Sequence, residues 1–499
     1  MKKITFLILL TIAVQSPALV MSQTGYSSSR SSAPHLAPPR HAGMVQVAQN
    51  FQQEEEEFPE KESAPVTPEE SASDSEQPIP PEALSPAIPP AVYPTAEPAP
   101  AYYVNPCEAA ACAVPTCGTF GRHEPFRFFR DGSRLKLHAW AESGIYVNAH
   151  GARSQYLPAG GGLEENSGNG PIHAAGLRTT DYNMNQLWGS LTREMDSSNG
   201  LDWGFQMDMV YGMTGTWVQS YNDESFDYGW GEGDYGLGIF QLYGELGYKN
   251  LSVKYGKFGT PVGWEATPSW DNFFYSHSYT FNIVPTTHTG ALAGYQLSDE
   301  LKLVGGWSGG LETGFANRYN DSSLIAGFEL VLTDKANIYY YMTQGHQKDK
   351  LLSNGSYRLG NNGLDHKYFI QSLVFEWNAT DKLTYALEWV LNNANPTGGT
   401  RTSAYGINNH LIYTLNDKWS VGLRAEWLRD NGVLGYADVS GNGENSDYAE
   451  LTLGLNFNPT ENLRIRPEIR YDHSYKNAIF AGGTKKEQLS GGVGLLFGF

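Results

Sequence analysis

From about residue 134 onward, large apolar residues alternate with polar or small ones, and this period of two is the feature that most constrains the fold. Between residues 201 and 211, LDWGFQMDMVY places Leu, Trp, Phe, Met, Met and Tyr on one face and Asp, Gln and Asp on the other. The pattern recurs in LTYALEWVLN (383–392), WSVGLRAEWL (419–428) and LRIRPEIRYD (463–472). Such alternation over about ten residues predicts strands with one apolar and one polar face.

Two folds can use strands of this kind. In a soluble β-sandwich the apolar faces pack into a core and the polar faces meet water. In a membrane barrel the apolar face contacts lipid and the polar face surrounds the interior. Here Trp and Tyr recur near strand ends on the apolar face, as in Trp203 and Tyr211 or Trp419 and Trp427. Amphipathic rings favour the membrane–water interface, so this placement favours the barrel over the sandwich.

The connections between the strands support the barrel. Short polar links, such as YKN at 248–250, SDE at 298–300 and NDK at 416–418, alternate with long segments rich in Gly and Asn. Tight periplasmic turns that alternate with long outer loops are typical of outer-membrane barrels. We therefore predict an all-β fold: a transmembrane antiparallel β-barrel of about 16 strands, beginning with Leu135–Val147 and ending with Leu489–Phe499. A barrel of this width encloses a water-filled channel.

The last strand, LSGGVGLLFGF, carries large apolar residues at odd positions and mostly small ones at even positions. Its apolar face is expected to contact outer-membrane lipid as the barrel closes. The final Phe499 resembles the C-terminal aromatic residue that outer-membrane proteins present to the barrel-assembly machinery.

The residues before the barrel are of a different kind. Residues 1–22 combine Lys2 and Lys3 with an apolar run and small residues, which predicts a secretory signal peptide. Residues 23–130 form a low-complexity Pro-, Ala- and Glu-rich arm. It buries too little apolar surface to fold, so we expect a disordered periplasmic arm before a barrel domain at residues 131–499. The arm either contacts the cell wall or serves as an inert spacer.

Three cysteines, Cys107, Cys112 and Cys117, lie at the end of this arm. Their even spacing does not match zinc or iron–sulfur motifs, so no metal site or cofactor is predicted. In an oxidising compartment they remain disulfide candidates, either for a local bridge or for a bridge to another chain. The formal net charge of −19 argues against nucleic acid as a partner.

Strand parity also predicts which charged side chains line the pore. In a wet lumen, opposed charges orient polar solutes, whereas the alternative is a solvated wall without selectivity. The pore-lining candidates are Asp208, Lys302, Glu388, Arg424, Glu426, Glu450, Arg464, Arg466, Glu468 and Arg470.

The third long loop, TPVGWEATPSWDNFFYSHSYTFNIVPTTH (260–288), is rich in aromatic residues and Pro, unlike a flexible surface loop. We expect it to fold into the lumen and narrow it. The alternative is packing against the rim or a neighbouring subunit. The residues expected near the constriction are Trp264, Glu265, Asp271, His277 and His288.

Three segments in this region, at residues 241–265, 273–282 and 285–303, resemble a known family. They read QLYGELGYKNLSVKYGKFGTPVGWE, FFYSHSYTFN and PTTHTGALAGYQLSDELKL, and they are similar to the OmpL-like group of β-barrel porins. The resemblance spans residues 131–499 and leaves out the arm. It implies a non-enzymatic outer-membrane porin through which small hydrophilic solutes diffuse passively. By analogy with wide porins, we expect a homotrimer.

Two other functions remain as alternatives. One is a structural or adhesive barrel, with a plugged lumen, that the arm fixes to the envelope. The other is an outer-membrane hydrolase, for which the segment Ser276–His277–Ser278 is the candidate. Adjacency in sequence is weak support for a catalytic group, because catalytic residues are recognised by their geometry.

Overall fold

The computed structural model describes residues 133–149, 182–220, 226–232, 235–316, 320–348, 365–396, 401–433, 445–476, 478–480 and 485–499. The predicted signal peptide, the arm and the three cysteines lie outside these residues.

The described chain is built almost wholly of β-strands. The strands are β1 (Leu135–Asn148), β2 (Tyr182–Arg193), β3 (Leu201–Gly212), β4 (Gly231–Glu232), β5 (Tyr235–Tyr248), β6 (Leu251–Gly259), β7 (Thr287–Gln296), β8 (Leu301–Leu311), β9 (Ser322–Thr333), β10 (Ala336–Lys348), β11 (Asp365–Thr380), β12 (Leu383–Pro396), β13 (Thr402–Asn416), β14 (Trp419–Asn431), β15 (Ser446–Thr460), β16 (Leu463–Ser474) and β17 (Glu487–Gly498). The short helices are α1 (Met213–Trp217) and two 3₁₀ turns, Ser269–Asp271 and Thr280–Ile283.

The strands form one closed antiparallel barrel. Each long strand pairs with its neighbours in sequence, and β1 closes the barrel by pairing with β17 from Trp140↔Gly498 to Asn148↔Ser490. The two-residue β4 pairs with the start of β5 and does not separate β3 from β5, which leaves a wall of 16 strands. The prediction of an antiparallel barrel of about 16 strands is confirmed.

The alternation of side chains separates the two faces of the wall. On β14, Leu423 and Trp427 are exposed on the outside, whereas Arg424 and Glu426 are buried inside. On β17, Leu495 and Phe497 point outward and Leu496 is fully buried. The exposed apolar residues form the belt that a barrel needs in contact with lipid.

The short links join strands at one end of the barrel. The chain turns at Lys249–Asn250, and Lys249 has a φ of 53°. The end of the chain lies at this same end, because the Gly498 N–H donates at 2.8 Å to the carbonyl of Asn462 in the short turn between β15 and β16. The first half of β1 lies beside it, since the Phe499 N–H donates to the carbonyl of Ala139 at 2.9 Å. In the described ranges, no helix is both long enough and apolar enough to cross a membrane.

Candidate functional site

Residues 260–286, between β6 and β7, fold into the interior of the barrel and are called the inserted loop below. Its two ends meet where the Thr260 N–H donates to the Thr286 carbonyl at 3.0 Å. From there it reaches Ser372 on β11, where the Gly263 N–H donates to Oγ at 2.9 Å, and Asn185 on β2, whose Nδ2 donates to the Tyr275 hydroxyl at 2.9 Å. The loop therefore crosses the lumen.

Carboxylates of the wall accept hydrogen bonds from the backbone of the inserted loop. Glu388 accepts the N–H of Trp264 at 2.8 Å. Glu426 accepts the N–H groups of Tyr279 and Thr280, both at 2.6 Å. Glu468 accepts those of residues 275 and 276 at 2.7 and 3.1 Å. Each of these hydrogen bonds ties a backbone N–H of the loop to a fixed position on the wall, so these three side chains fix the course of the loop.

Arginines of the wall bind the loop carbonyls in the complementary way. Arg466 donates through Nη1 to the carbonyls of residues 269, 272 and 274, each at 3.1 Å. Arg470 donates to the carbonyl of residue 277 at 2.6 Å, and Arg424 to that of residue 276 at 2.7 Å. Arg464 donates to the carbonyl of residue 270 at 3.1 Å. We call these four arginines, with Glu388, Glu426 and Glu468, the anchoring residues.

Three of these arginines, Arg424, Arg466 and Arg470, also pair with carboxylates, so their charges are compensated inside the barrel. Arg424 Nε lies 3.0 Å from Glu450 Oε2, and Arg470 Nη2 lies 2.8 Å from Asp472 Oδ1. Arg466 forms an ion pair with Glu142. Buried charges are costly unless they are paired and hydrogen-bonded, and these contacts meet both conditions.

Glu265 is the carboxylate that the loop itself contributes to this network. Its Oε1 accepts from Arg424 Nη1 at 2.8 Å, and its Oε2 accepts from the Ser278 N–H at 2.8 Å. His277 and His410 lie 3.4 and 3.8 Å from its oxygens. Burial alone would raise the pKa of Glu265, but the Arg424 charge, followed by His277 and His410, holds this pKa well below its usual range.

Apolar contacts hold the remaining loop side chains. Trp264, Phe273 and Phe274 form a buried cluster with residues 374, 386 and 412 of the wall. The wall has glycine where these rings approach most closely: a Cβ on Gly422 would lie 2.3 Å from Phe273 Cε1, and one on Gly454 would lie 2.9 Å from Phe274 Cδ1. Both glycines are required by the rings that pack over them.

Most of the predicted pore-lining residues are buried beneath this loop. Nine of the ten are at most 8% exposed: Asp208, Glu388, Arg424, Glu426, Glu450, Arg464, Arg466, Glu468 and Arg470. They lie on the inner wall, as parity predicts. We expected them to border water in the lumen, but they contact the loop or other wall residues instead. Lys302 differs, because it is paired with Glu329 at 3.1 Å and both side chains remain partly exposed, at 14% and 17%.

The residues predicted for the constriction fall into two groups. Trp264, Glu265 and His277 lie in the network described above, and Asp271 ends the 3₁₀ turn that precedes Phe273. His288 belongs to β7 and not to the loop; its Nε2 lies 3.2 Å from Thr260 Oγ1, at the root of the loop.

The hydrolase candidate does not bring its serines and histidine together as a catalytic group would require. The hydroxyl of Ser276 accepts from Arg424 Nη2 at 3.1 Å, and that of Ser278 donates to Glu265 at 2.9 Å. The ring of His277 stacks on Phe281, with centroids 3.9 Å apart.

Sequence reasoning missed several residues of the site. Glu142 and Asp472 have the inward parity of the predicted residues and could have been found by extending the same reasoning. Lys257 could not have been found from the alternation of side chains, because β6 is irregular at the neighbouring Gly256, whose φ is 139°. Its Nζ donates to the carbonyl of Val218 at 2.9 Å and lies 3.5 Å from Asp227, which lies between α1 and β4.

A closed 16-strand antiparallel barrel, with an apolar outer belt and a loop folded into a charged interior, is the architecture of an outer-membrane porin. The chain belongs to the family described as "putative beta-barrel porin-2, OmpL-like", whose model matches residues 135–499. Family membership confirms the resemblance seen in the sequence, and it places this protein among the porins of the bacterial outer membrane.

Several solved porin structures are similar to this chain at low sequence identity. OmpF of Salmonella typhi, in complex with daunomycin, is 11% identical with a TM-score of 0.48, over 75% of this chain and 100% of that one. The anion-selective porin of Comamonas acidovorans is 10% identical with a TM-score of 0.46, over 73% and 99%. The DcaP channel of Acinetobacter baumannii is 11% identical with a TM-score of 0.45, over 74% and 99%. No curated protein gives a significant match.

Proposed function

We propose that the protein lets small hydrophilic solutes and ions diffuse passively across the outer membrane, and that the inserted loop is the constriction of its channel. The observation that carries this proposal is the backbone anchoring of the loop by Glu388, Glu426, Glu468 and four arginines. Solutes would pass the loop next to inner-wall residues that it leaves partly exposed, among them the Lys302–Glu329 pair. Pore radius and these charges would set the selectivity.

The remaining parts of the chain complete the proposal. Residues 1–22 would direct export and be removed, and residues 23–130 would form a periplasmic arm whose cysteines bridge locally or to a partner. The barrel would assemble as a homotrimer. Chemical cross-linking of the protein in native membranes would test the trimer, and cross-linking to purified cell wall would test the arm.

Deletion of residues 264–278 tests the constriction. Because the deleted segment contains most of the groups that the anchoring residues bind, the single-channel conductance in planar bilayers should rise several-fold. A deletion of equal length at residues 350–364, in the connection between β10 and β11, is the matched control and should leave the conductance nearly unchanged. Equal conductance of the wild type and the 264–278 deletion would exclude the loop as the constriction.

A structural barrel is the second candidate, because one observation favours it. Nine inner-wall charges at most 8% exposed mean that the loop fills much of the lumen in this conformation. If the wild type gave no channels while the 264–278 deletion conducted, the loop would be a permanent plug and the structural role would be preferred.

A further inference from the structure

A second segment of the chain, residues 213–220, folds into the barrel beside the inserted loop. Its first five residues form α1, which packs on β5 so closely that a Cβ on Gly238 would lie 2.5 Å from the carbonyl oxygen of Gly215. Gly238 pairs with Val210, which is fully buried, whereas the next residue of β3, Tyr211, is exposed on the outer face. The helix therefore covers the inner face of the wall. We call residues 213–220 the inner segment.

The inner segment and the inserted loop lie over the same part of the wall. Gln186 of β2 binds both, since its Nε2 donates to the Thr267 carbonyl at 2.8 Å and to Thr214 Oγ1 at 3.4 Å. Val218 of the inner segment belongs to a buried apolar cluster with side chains of β1, β2, β3, β5 and β17, and Trp270 of the inserted loop packs against this same cluster. The two segments are therefore neighbours inside the lumen.

Lys257 of β6 binds the end of the inner segment. Its Nζ donates to the Val218 carbonyl at 2.9 Å and to Ser220 Oγ at 2.7 Å, and it lies 3.5 Å from Asp227 Oδ2. Asp227 in turn accepts the Ser220 N–H at 2.7 Å and the Ile239 N–H at 2.9 Å. The side chains of Lys257 and Asp227 are both fully buried, so the ammonium and the carboxylate compensate each other's charge.

A buried ion pair at this place calls for a reason other than stability. Apolar side chains of similar volume often stabilise a protein as well as a buried ion pair does, or better. What the ammonium of Lys257 supplies is direction, because its donors meet a carbonyl and a hydroxyl of the inner segment. These contacts depend on where the inner segment lies, so Lys257 specifies its position in the lumen.

We propose that the inner segment is a second element of the channel constriction and that Lys257 is the residue that positions it. This inference rests on the proposed channel function, to which it adds a positioning residue. The inner segment occupies the lumen beside β2, β3 and β5. Solutes therefore pass farther around the wall, along β8–β10, where Val304, Glu329 and Tyr339 of the inner face are partly exposed.

Lys257→Met tests whether the inner segment narrows the channel. Methionine keeps a long side chain but removes the ammonium, which leaves the carboxylate of Asp227 buried without its partner. Because the inner segment is then no longer held in the lumen, the single-channel conductance in planar bilayers should rise about twofold. The matched control is Lys382→Met, the same change in the exposed turn between β11 and β12, which should leave the conductance unchanged.

Thiol labelling reports the position of the inner segment without any measurement of current. In a chain whose three native cysteines are replaced by serine, Thr214→Cys introduces a thiol in α1 at a position that is 1% exposed. Its reaction with a charged methanethiosulfonate in detergent should be about tenfold faster when Lys257→Met is also present, because local opening then exposes the thiol more often. Thr343→Cys on β10, where the native side chain is fully buried, should react equally slowly with and without Lys257→Met.

Ser220→Ala is a milder variant that keeps the test valid if Lys257→Met does not fold. It removes one acceptor of the Lys257 ammonium, so it should speed labelling of the Thr214→Cys thiol by a smaller factor, about two- to threefold. Added to Lys257→Met, the same change should have no further effect, because the donor of this hydrogen bond is already absent.

The two readouts separate the failure of the channel from the failure of the positioning role. If no protein of the series conducted, the channel proposal would fail, and labelling would decide the role of Lys257 by itself. Faster labelling at an unchanged conductance would overturn the inner segment as an element of the constriction. Unchanged labelling in both Lys257→Met and Ser220→Ala would overturn Lys257 as the residue that positions it.

Discussion

At the scale of single residues, the charges of the inner wall serve to hold the loop. Glu426 and Glu468 each accept two neighbouring backbone N–H groups, and Arg466 donates to three carbonyls. A hydrogen bond to a charged group contributes about 1.5–3 kcal/mol, and loss of one partner leaves the other buried without compensation. Contacts to the backbone depend on the path of the loop rather than on its side chains. The wall therefore specifies where the loop runs.

Glu265 leads to a prediction about pH. Its pKa is lowered in the folded protein, so its contribution to stability is complete above the ordinary carboxyl range and is lost only as pH falls through the lowered pKa. We expect Glu265→Gln to lower the melting temperature by an amount that stays constant from pH 7 to about pH 5 and decreases only below about pH 4. Thermal unfolding in detergent at graded pH would measure this difference.

The control for this prediction is Glu300→Gln, the same chemical change in an exposed turn between β7 and β8. It should leave the melting temperature nearly unchanged at every pH. A difference between the wild type and Glu265→Gln that already decreased between pH 7 and pH 5 would contradict the lowered pKa.

At the scale of elements, the loop and the strands fit each other through small residues. Gly422 and Gly454 accommodate the Phe273 and Phe274 rings, and a Cβ on Gly494 of β17 would lie 2.6 Å from Tyr275 Cδ2. Glycine is usually unfavourable inside a strand, because it has no side chain to pack and loses more entropy on folding. Its presence at these positions is explained by the loop, which needs to approach the backbone of the wall closely.

Gly422→Val tests this fit. Valine favours strands, so the wall itself should tolerate it, but the side chain would overlap the Phe273 ring. We expect overpacking to cost about 1–3 kcal/mol and to displace the loop, which raises the single-channel conductance. Gly305→Val is the matched control, because a Cβ at this position of β8 meets nothing within 4 Å. A variant that unfolded like the wild type and conducted equally would show that the loop does not depend on this contact.

At the scale of the whole molecule, the barrel separates two solvents. Large apolar side chains such as Leu453 and Ile469 are exposed on the outside, whereas charged residues such as Arg470 are buried inside. The hydrophobic effect alone would not stabilise such a molecule in water, since its apolar belt is on the surface. Lipid is the solvent in which this arrangement is favourable, and the backbone hydrogen bonds of the closed barrel satisfy its polar groups there.

The position of the membrane can be tested by making the same Leu→Lys substitution at two depths along the barrel and comparing the loss in free energy of unfolding. Leu453 lies at the middle of β15 and faces outward, and Leu332 faces outward next to the turn that follows β9. We expect Leu453→Lys to lower the free energy of unfolding in lipid vesicles by about 2–4 kcal/mol, and Leu332→Lys by about 0–1 kcal/mol. Equal costs at the two positions would contradict a membrane centred on the middle of the strands.

Much of the wall could be predicted from the sequence. The first strand begins at Leu135 as predicted and ends one residue later than predicted, and the outward and inward faces of β14, β16 and β17 follow the parity of the sequence. The surroundings of the charged side chains could not be predicted. Arg424 was identified as inward-facing, but its contacts with Glu265 and with residue 276 of the loop join segments 159 and 148 positions apart.

The sequence by itself determined most of the strands and their faces, their approximate number and the family of the protein, because each depends on a local alternation or a short motif. The tertiary structure alone decided that the inner charges would meet the loop instead of water. These contacts join segments far apart in the chain, as in the pair Arg466 and Glu142, 324 positions apart. Their formation depends on the closure of the barrel, which brings the wall and the inserted loop together.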